Sequence, residues 1–287
     1  MSIKSFLDKN TESLSGKTVA ISGSTGGLGR ELCIYFCTLG AGLVLLDRNM
    51  EKSHRLANEL REKFPEAKIT HIRVDMSEID TVKAATKQLS SMEIDYLVLN
   101  AGAYSIPRQT CDTGYDNVYQ INFVSPYYIA RQLLPGIRER GGRIIAVGSI
   151  AHNYSKIDES DIDFSTRKKA SLVYGNAKRY LTYSLLALSE GDIAVAHPGI
   201  TFTGITAHYP KLIFAIIKHP MKIIFMKPKK AALSILYAMF TECKKDQWIG
   251  PWLLDIWGMP AKKRLATASK IEQARIVSIA ENIYNKL

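Results

Sequence analysis

The stretch that decides the fold begins near the N-terminus. Lys17-Thr-Val-Ala-Ile-Ser22 is a short apolar run that leads directly into the turn Gly23-Ser-Thr-Gly-Gly-Leu-Gly29. From Leu28 apolar residues recur at helical spacing as far as Leu39, and Gly40 ends that helix. A buried strand, a glycine-rich turn and a helix start form an anion site, because backbone N–H groups and the helix dipole face one point. The candidate dinucleotide contacts in this turn are Gly23, Ser24, Thr25, Gly27, Leu28 and Gly29.

The rest of the chain repeats this alternation of strand and helix. Continuous apolar runs, separated by helical patterns, occupy about 43–47, 68–74, 96–100, 143–147 and 192–196. Such runs predict a parallel sheet with helices on both faces, which is a doubly wound α/β fold of the Rossmann type. Ligands bind these sheets at the carboxyl ends of the strands. No linker-like composition interrupts residues 1–287, and this predicts a single domain.

Residues that follow the strands are the next candidates. Asp47 ends the second strand, 18 residues after Gly29, where a carboxylate can accept hydrogen bonds from an adenosine ribose. It would also repel a 2′-phosphate, which favours NAD over NADP, whereas the adjacent Arg48 favours NADP. Asp75-Met76 follows the third strand and Asn100-Ala101-Gly102 the fourth. Each alone could be a plain turn, but with the glycine turn they predict the floor of a cofactor groove.

Tyr174 and Lys178 form a candidate acid/base pair. They lie four residues apart in a predicted helix over about 168–190 and therefore share a face. Free tyrosine has a pKa of about 10 and is a poor base near pH 7. Lowering that pKa to about 7 requires roughly 4 kcal/mol, which one ammonium about 4 Å away supplies at an effective dielectric near 20. The pair can thus transfer a proton, although this spacing alone is usually structural.

Two polar residues complete the candidate site. Ser149 ends the fifth strand, 25 residues before Tyr174, and its hydroxyl could bind a substrate oxygen while the tyrosine moves the proton. Asn122 falls within a long helix predicted over about 113–138. A polar side chain that faces inward from a helix needs a specific partner; otherwise Asn122 is an ordinary helix-surface residue.

Together these residues resemble one family. The glycine turn, Asn100-Ala101-Gly102, Asn122, Ser149, Tyr174, Lys178 and Pro198-Gly199 occur in the order and approximate spacing of the short-chain dehydrogenases/reductases. The chain looks most like the retinol-dehydrogenase-like group, which has Ala-His after the serine, an insertion before the tyrosine and His-Pro-Gly after the sixth strand. These features are Ala151-His152, about 153–172, and His197-Pro198-Gly199. The resemblance covers about 15–205, and it departs at the usual serine pair, which is Gly148-Ser149 here.

The resemblance implies hydride transfer between a nicotinamide cofactor and a secondary alcohol or ketone. It implies that Tyr174 is the acid/base and that Lys178 lowers its pKa and holds the nicotinamide ribose. Ser149 would orient the substrate oxygen, and Asn122 would hold Lys178 through water. Asp75 and Met76 would flank the adenine, and Thr203 would lie near the nicotinamide carboxamide. Pro198 and Gly199 would also contact the cofactor.

The resemblance also leads to expectations about the cofactor and the oligomeric state. Members of this group often prefer NADP, but Leu45-Leu46-Asp47-Arg48 looks more like NAD-dependent relatives. The sequence therefore predicts NAD, with NADP as the alternative. Relatives often pair through their fourth and fifth helices, which implies a homodimer or homotetramer.

The C-terminal third is less familiar. Residues 204–227 mix apolar residues with lysines and predict a lid over the substrate pocket, and hence an apolar alcohol or ketone as substrate. The same pattern would suit an interfacial helix or a core helix pair. The aromatic stretch Gln247–Trp257 is expected to pack against the pocket or the sheet edge, and residues 260–287 are predicted to form an amphipathic helical tail.

The composition argues against nucleic-acid-binding, metal-binding, secreted and membrane-spanning proteins. The formal charge is +11, but the basic residues are spread out and form no nucleic-acid motif, which fits a phosphate-bearing cofactor better than nucleic acid. The four cysteines lack the spacing of a metal site and fit a reducing compartment. No apolar run reaches the roughly 18 residues of a membrane span, and the N-terminus lacks a signal-peptide core. We therefore expect a cytoplasmic protein without a metal, for which membrane contact is a minor possibility.

Two other functions would require different residues or a different domain organisation. A non-catalytic dinucleotide-binding redox sensor or scaffold could lose Tyr174 or Lys178 without harm, and both are present with Ser149 and Asn122. A dehydratase or epimerase acting on a nucleotide sugar usually has a larger C-terminal substrate domain than this chain offers. The sequence therefore favours an alcohol/ketone oxidoreductase.

Overall fold

The computed structural model describes residues 2–200 and 226–287 of the chain. Its strands are β1 (Thr18–Ser22), β2 (Gly42–Asp47), β3 (Ile69–Arg73), β4 (Tyr96–Leu99), β5 (Arg143–Val147), β6 (Ile193–Ala196), β7 (Gln247–Leu253) and β8 (Trp257–Arg264). Its helices are α1 (Ile3–Asn10), α2 (Gly27–Thr38), α3 (Met50–Lys63), α4 (Ile79–Ser90), α5 (Asn117–Tyr119, continuing through Gln120–Val124 and Ser125–Glu139), α6 (Ala170–Leu188), α7 (Pro228–Phe240) and α8 (Lys270–Lys286). A short 3₁₀ helix, Ile150–Tyr154, follows β5.

The strands form one sheet in the order β3-β2-β1-β4-β5-β6-β7-β8. Every neighbouring pair from β3 to β7 is parallel, and only β7 and β8 are antiparallel. The strand order reverses between β1 and β4, and a ligand crevice forms where such a reversal occurs. The predicted Rossmann-type fold is confirmed, and it brings the glycine turn after β1 beside Asn100, which follows β4.

Both faces of the sheet are buried, which explains the continuous apolar runs of the sequence. Along β1, Ala20 packs into one core cluster, while Val19 and Ile21 pack into the cluster on the other face. Successive side chains of a strand point to opposite faces, so a strand covered on both sides must be apolar at every position. Helices α4, α5, α6 and α8 contribute to the first cluster and α2, α3 and α7 to the second.

The long helix predicted over about 113–138 begins later. The carboxylate of Asp116 caps α5, accepting hydrogen bonds from the backbone N–H of Val118 at 2.9 Å and Tyr119 at 3.4 Å. The helix then widens into a π-helical turn at Gln120–Val124 before it continues as an α-helix. Such turns often occur at functional sites. Asn122 lies within this turn rather than within a regular helix.

The predicted helical tail over 260–287 was too long, because residues up to Arg264 form strand β8. β8 pairs with β7 through a tight turn at Leu254 and Asp255, whose φ angles are +53° and +59°. The helix itself, α8, begins at Lys270 after the capping residue Ser269. The stretch Gln247–Trp257, predicted to pack against the pocket or the sheet edge, forms β7, this turn and the first residue of β8, and β7 lies inside the sheet between β6 and β8.

The predicted lid, 204–227, lies outside the described residues except for Met226 and Lys227, and Thr203 lies outside them as well. Met226 is buried, and its backbone N–H donates to the carbonyl of Ile200 at 2.9 Å. Across the described ranges, no helix has the length and apolar character needed to cross a bilayer.

Candidate active site

A cavity of about 700 Å³ runs along the carboxyl ends of the strands, from the glycine turn to Tyr174 and Lys178. The predicted residues that line it are Gly23, Thr25, Gly27, Leu28, Gly29, Asp47, Arg48, Asp75, Met76, Asn100, Ala101, Gly102, Ser149, Tyr174, Lys178, Pro198 and Gly199. Ser24 and Asn122 were also predicted, and they lie behind this lining. The fold therefore brings residues that are far apart in sequence to one continuous groove.

The glycine turn is built so closely that side chains would not fit. A Cβ atom at Gly29 would lie 2.3 Å from the carbonyl oxygen of Gly23, and one at Gly23, where φ is +67°, would lie 3.0 Å from the Cα of Ala101. No side chain caps α2 at Gly26, which leaves the first N–H groups of the helix available to an anion. This arrangement fits the pyrophosphate of a dinucleotide.

Asp47 is fixed at the edge of the groove by two serines. Its Oδ2 accepts hydrogen bonds from Ser24 Oγ at 2.5 Å and from Ser53 Oγ at 2.9 Å, and the side chain is almost fully buried. Its Oδ1 accepts only a long bond, 3.4 Å, from the backbone N–H of Thr25. Ser24 thus orients the carboxylate instead of lining the cavity. Asp47 retains acceptor capacity for ribose hydroxyls on its less occupied oxygen.

Basic side chains lie at the same end of the groove. Arg48 is largely exposed and approaches the carboxylate of Asp75 at 3.6 Å, while Lys52 also lines the cavity. Only the arginine of this ion pair lies in solvent, since the carboxylate of Asp75 is buried. Lys52 was not among the residues predicted from the sequence, although its place in the first turn of α3, shortly after β2, was a usable signal.

Asn100 joins the end of β4 to the glycine turn. Its side-chain amide donates to the carbonyls of Ser22 and Gly23, each at 2.9 Å. In return, Ser22 Oγ accepts the backbone N–H groups of Asn100 and Ala101, each at 3.0 Å. Side-chain hydrogen bonds therefore hold the two sides of the crevice together at the groove floor predicted from these residues.

Tyr174 and Ser149 meet at the other end of the groove. Both side chains line the cavity, and the ring of Tyr104 contacts that of Tyr174 edge-on, with centroids 5.3 Å apart. The amine of Lys178 lies 5.7 Å from the centroid of the Tyr174 ring and donates to the carbonyl of Val147 at 2.9 Å. The structure thus brings together the three residues that the sequence selected.

The expected lowering of the tyrosine pKa is absent in the ligand-free chain. Burial raises the pKa of Tyr174 to about 12 and outweighs the hydrogen bond from Ser149, which lowers it. Burial also lowers the pKa of Lys178 to about 7. Desolvation disfavours both charged forms, and no carboxylate is among the causes of either shift. A low tyrosine pKa therefore requires additional positive charge in the groove.

Asn122 supports the site from behind. It is fully buried, and its amide donates to the carbonyls of Ala103 at 2.7 Å and Val118 at 2.8 Å. A Cβ atom at Gly102 would lie 2.8 Å from Asn122 Oδ1 and 3.7 Å from the amine of Lys178. Asn122 is therefore not a helix-surface residue. It holds the segment after β4 next to Lys178.

Replacing Lys178 with Met is expected to stabilise the ligand-free chain at pH 7. Unfolding returns the lysine to its ordinary pKa of 10.5, so the unfolded chain binds an extra proton between about pH 7 and 10.5. The stability of the original protein then rises with pH across that window, and the gain from Lys178→Met is largest at or below pH 7. Urea unfolding at pH 7 and at about pH 9.5 measures this difference.

The matched control for that experiment is Lys168→Met, which changes an exposed lysine just before α6. We expect it to leave stability unchanged at both pH values. An equal gain from Lys178→Met at both pH values, or a similar gain from the control, would contradict the buried, poorly protonated amine.

The site and the fold together define a class: oxidoreductases that bind a nicotinamide dinucleotide on a Rossmann sheet. Residues 17–161, just over half of the chain, match the family described as short chain dehydrogenase. The protein belongs to the short-chain dehydrogenase/reductase family, in its retinol-dehydrogenase-like group. The resemblance predicted from the sequence is confirmed.

Two relatives illustrate the match. An uncharacterised oxidoreductase of Schizosaccharomyces pombe is 28% identical over 270 residues, covering 85% of this chain and 78% of the relative. Retinol dehydrogenase 13 of Homo sapiens is 25% identical over 203 residues, covering 67% of this chain and 61% of that protein. The chain therefore spans less than two thirds of the length of this second relative.

Solved structures agree with the fold. An uncharacterised protein from Mycobacterium paratuberculosis superposes with a TM-score of 0.74 at 18% identity, covering 96% of each chain. L-Sorbose reductase from Gluconobacter frateurii, solved with NADPH and L-sorbose, superposes with a TM-score of 0.62 at 24% identity, covering 79% of this chain and 91% of that one. At identities of 18% and 24%, these likenesses show a shared fold and no more.

Proposed function

We propose that the protein transfers a hydride between NAD(P) and a secondary alcohol or ketone, using Asn122, Ser149, Tyr174 and Lys178. The observation that carries this proposal is that Ser149, Tyr174 and Lys178 line the same groove that begins at the glycine turn. An acid/base group must lie within hydrogen-bond reach of the reacting oxygen, and Ser149 and Tyr174 together define such a position. The family supports the cofactor class.

Each residue of the chain has a specific task in this proposal. A bound nicotinamide supplies or accepts the hydride. Ser149 donates a hydrogen bond to the substrate oxygen, and Tyr174 Oη gives that oxygen a proton or removes one from it. The amine of Lys178 binds ribose hydroxyls and, in its protonated form, places positive charge near the phenol. Asn122 keeps the backbone at Gly102 and Ala103 in place beside that amine.

We propose an apolar substrate. Tyr104, Ile150, Tyr154 and Ile200 line the part of the cavity around Tyr174 and Ser149, together with the small Ala151. Such walls favour a hydrophobic ligand with one polar group, since ligand pockets combine apolar walls with few polar contacts. The name of retinol dehydrogenase 13 points to a substrate of the same kind. Residues 204–227 remain our candidate for the lid over this part of the cavity.

The direct test of the reaction uses the purified chain. The protein is first titrated with NADH and with NADPH while the fluorescence of the cofactor is followed. A panel of apolar ketones is then added, and the absorbance of the reduced cofactor is monitored. We expect binding of a reduced cofactor and ketone-dependent oxidation of it. If the chain binds the cofactor tightly but turns over no ketone, and no alcohol in the reverse direction, the proposed reaction is wrong. A non-catalytic sensor or scaffold would then be the better explanation.

For the cofactor we propose NAD, with NADP as the alternative. The fixed carboxylate of Asp47 supports NAD, whereas Arg48 and Lys52 at the same end of the groove would accommodate a 2′-phosphate. We expect Asp47→Asn to bind NADPH at least about tenfold more tightly than the original protein, which corresponds to removing about 1.4 kcal/mol of repulsion. Its affinity for NADH should fall, because a charged acceptor of the ribose hydroxyls is lost.

The matched control is Glu51→Gln, which removes an exposed carboxylate near the same end of the groove that pairs with Arg55 and does not line the cavity. Both dissociation constants should stay unchanged in this variant. If the original protein binds NADPH tightly and NADH negligibly, the assignment of NAD is wrong.

We also propose a homodimer or homotetramer, and a cytoplasmic location. The four cysteines, all buried and free, support a reducing compartment. The family implies pairing through the fourth and fifth predicted helices, which are α5 and α6 in the structure. Helix α8 already packs against α5, since Glu281 accepts hydrogen bonds from Tyr127 Oη at 2.6 Å and from Arg131 at 3.0 Å. We therefore place any contact between copies outside the surface that α8 covers.

A further inference from the structure

Arg179 follows Lys178 in α6 but points away from the groove, and only 2% of it is exposed. Its Nε and Nη2 donate to the two carboxylate oxygens of Glu272, at 2.7 and 2.8 Å. Nη2 also donates to the carbonyl of Thr267 at 2.6 Å, and Nη1 donates to the carbonyl of His152 at 2.9 Å. A buried guanidinium is tolerated only when it is paired and hydrogen-bonded, and Glu272 supplies its counter-charge.

The 3₁₀ helix Ile150–Tyr154 packs against the same face of α6. A Cβ atom at Gly175 would lie 2.3 Å from the carbonyl oxygen of Ala151, so only glycine allows this close approach. Gly175 and Arg179 are four residues apart and share a helical face. The 3₁₀ helix therefore contacts α6 at two successive turns, through backbone packing at Gly175 and through the hydrogen bond from Arg179 to His152.

His152 connects this contact to Ser149. Its Nδ1 lies 2.6 Å from the carbonyl oxygen of Ser149, and because a carbonyl only accepts, Nδ1 carries the proton. The backbone N–H of His152 donates to the same oxygen at 3.1 Å, and the backbone N–H of Ala151 donates to Ser149 Oγ at 3.2 Å. A continuous path of hydrogen bonds therefore runs from Glu272 through Arg179 and His152 to Ser149.

Glu272 comes from the far end of the chain. It lies in the first turn of α8, where its backbone N–H donates to the capping hydroxyl of Ser269 at 3.1 Å. Its Oε1 also accepts a long hydrogen bond, 3.5 Å, from the backbone N–H of Ile157, beyond the 3₁₀ helix. The start of α8 is thus attached both to α6 and to the segment that follows Ser149.

We propose that Glu272 is a positioning residue, through which the C-terminal helix α8 sets the place of the Ser149 hydroxyl. The inference rests on the proposed function of Ser149 in orienting the substrate oxygen. In this view α8 is a structural part of the active site, because the charge that holds Arg179 in place comes from it.

Glu272→Gln tests the proposal with little change in shape. The variant leaves the buried guanidinium without its counter-charge, so the 3₁₀ helix should lose its fixed position. We expect kcat to fall about 10- to 100-fold, since a displacement of about 1 Å can cost about 100-fold. The dissociation constant of the reduced cofactor should not change, because none of the contacts of Glu272 lies in the cofactor groove.

Glu281→Gln is the matched control: it alters the same residue type on the same helix, where the partners are Tyr127 and Arg131 of α5. It should keep the original kcat. A second comparison uses Ser149→Ala, in which Glu272→Gln should cause no further loss of kcat, because its effect acts through Ser149. An effect on general stability would persist in that background.

Hydrogen–deuterium exchange of residues 149–157 gives a readout that needs no substrate. We expect these amides to exchange at least about tenfold faster in Glu272→Gln, which corresponds to about 1.4 kcal/mol of lost protection, and to be unchanged in Glu281→Gln. If no ketone is turned over by the original protein, only the proposed function fails, and this measurement still decides the inference. The inference is wrong if Glu272→Gln changes neither the exchange nor kcat, or if both Glu variants lose kcat equally. It is also wrong if Glu272→Gln lowers kcat as much in the Ser149→Ala background as in the original protein.

Discussion

Tyr174→Phe is expected to lower kcat by about 100- to 10,000-fold while cofactor binding stays intact. The substitution removes one hydroxyl, the group that we propose to exchange a proton with the substrate oxygen, and general acid–base catalysis contributes a factor of this size. The ring remains, so its edge-on contact with Tyr104 and the shape of the groove persist. Steady-state rates with an apolar ketone, and a titration with the reduced cofactor, measure the two effects separately.

Tyr154→Phe is the matched control, since Tyr154 lines the same cavity but is 56% exposed. It should change kcat little. If Tyr174→Phe retains the original kcat, or if both variants lose activity equally, Tyr174 does not exchange the proton and the proposed mechanism is wrong.

The second large effect is expected from Gly29→Ala, which should weaken cofactor binding. The new methyl group would lie 2.3 Å from the carbonyl oxygen of Gly23 and 2.9 Å from the Cα of Ser24, so the backbone of the turn must move. Overpacking of this kind costs about 1–3 kcal/mol of stability. The displaced N–H groups no longer face the pyrophosphate, and we expect cofactor affinity to fall by at least about tenfold, or 1.4 kcal/mol.

Gly26→Ala provides the comparison within the same turn. Its Cβ would lie 3.5 Å from the carbonyl oxygen of Gly23, an ordinary contact, and its φ of −73° suits alanine. Cofactor binding should survive there with a small loss. If Gly29→Ala and Gly26→Ala bind the cofactor equally well, close packing of the turn is not what builds the anion site.

Much of the fold follows from local patterns in the sequence. Runs such as Val19–Ile21 are apolar at every position because both faces of the sheet are covered, and this pattern alone indicates a parallel sheet. Strand β8 could not be found in the same way. It contains Pro260 and three consecutive basic residues, and it is a strand only because β7 lies beside it. Its turn at Leu254 and Asp255 also lacks the glycine or asparagine that usually indicates such a geometry.

Most residues that line the groove could be predicted from the sequence, but their environment could not. Spacing on a helix places Tyr174 near Lys178, but the pKa of each depends on burial by residues from other elements. Ser24 is expected to contact the cofactor because of its place in the turn, and its hydrogen bond to the carboxylate of Asp47 could not be predicted from that place. The pair Arg179–Glu272 spans 93 residues, so no local pattern connects its members.

Transfer of a labelled hydride tests the central claim most directly. The reduced cofactor carrying deuterium at C4 of the nicotinamide is incubated with the protein and an apolar ketone, and the alcohol product is examined by mass spectrometry. We expect the original protein to form alcohol with one deuterium on the carbinol carbon, and Tyr174→Phe to form none that is detectable. An alcohol product without deuterium, with either face of C4 labelled, or label transfer that persists undiminished in Tyr174→Phe, would contradict it.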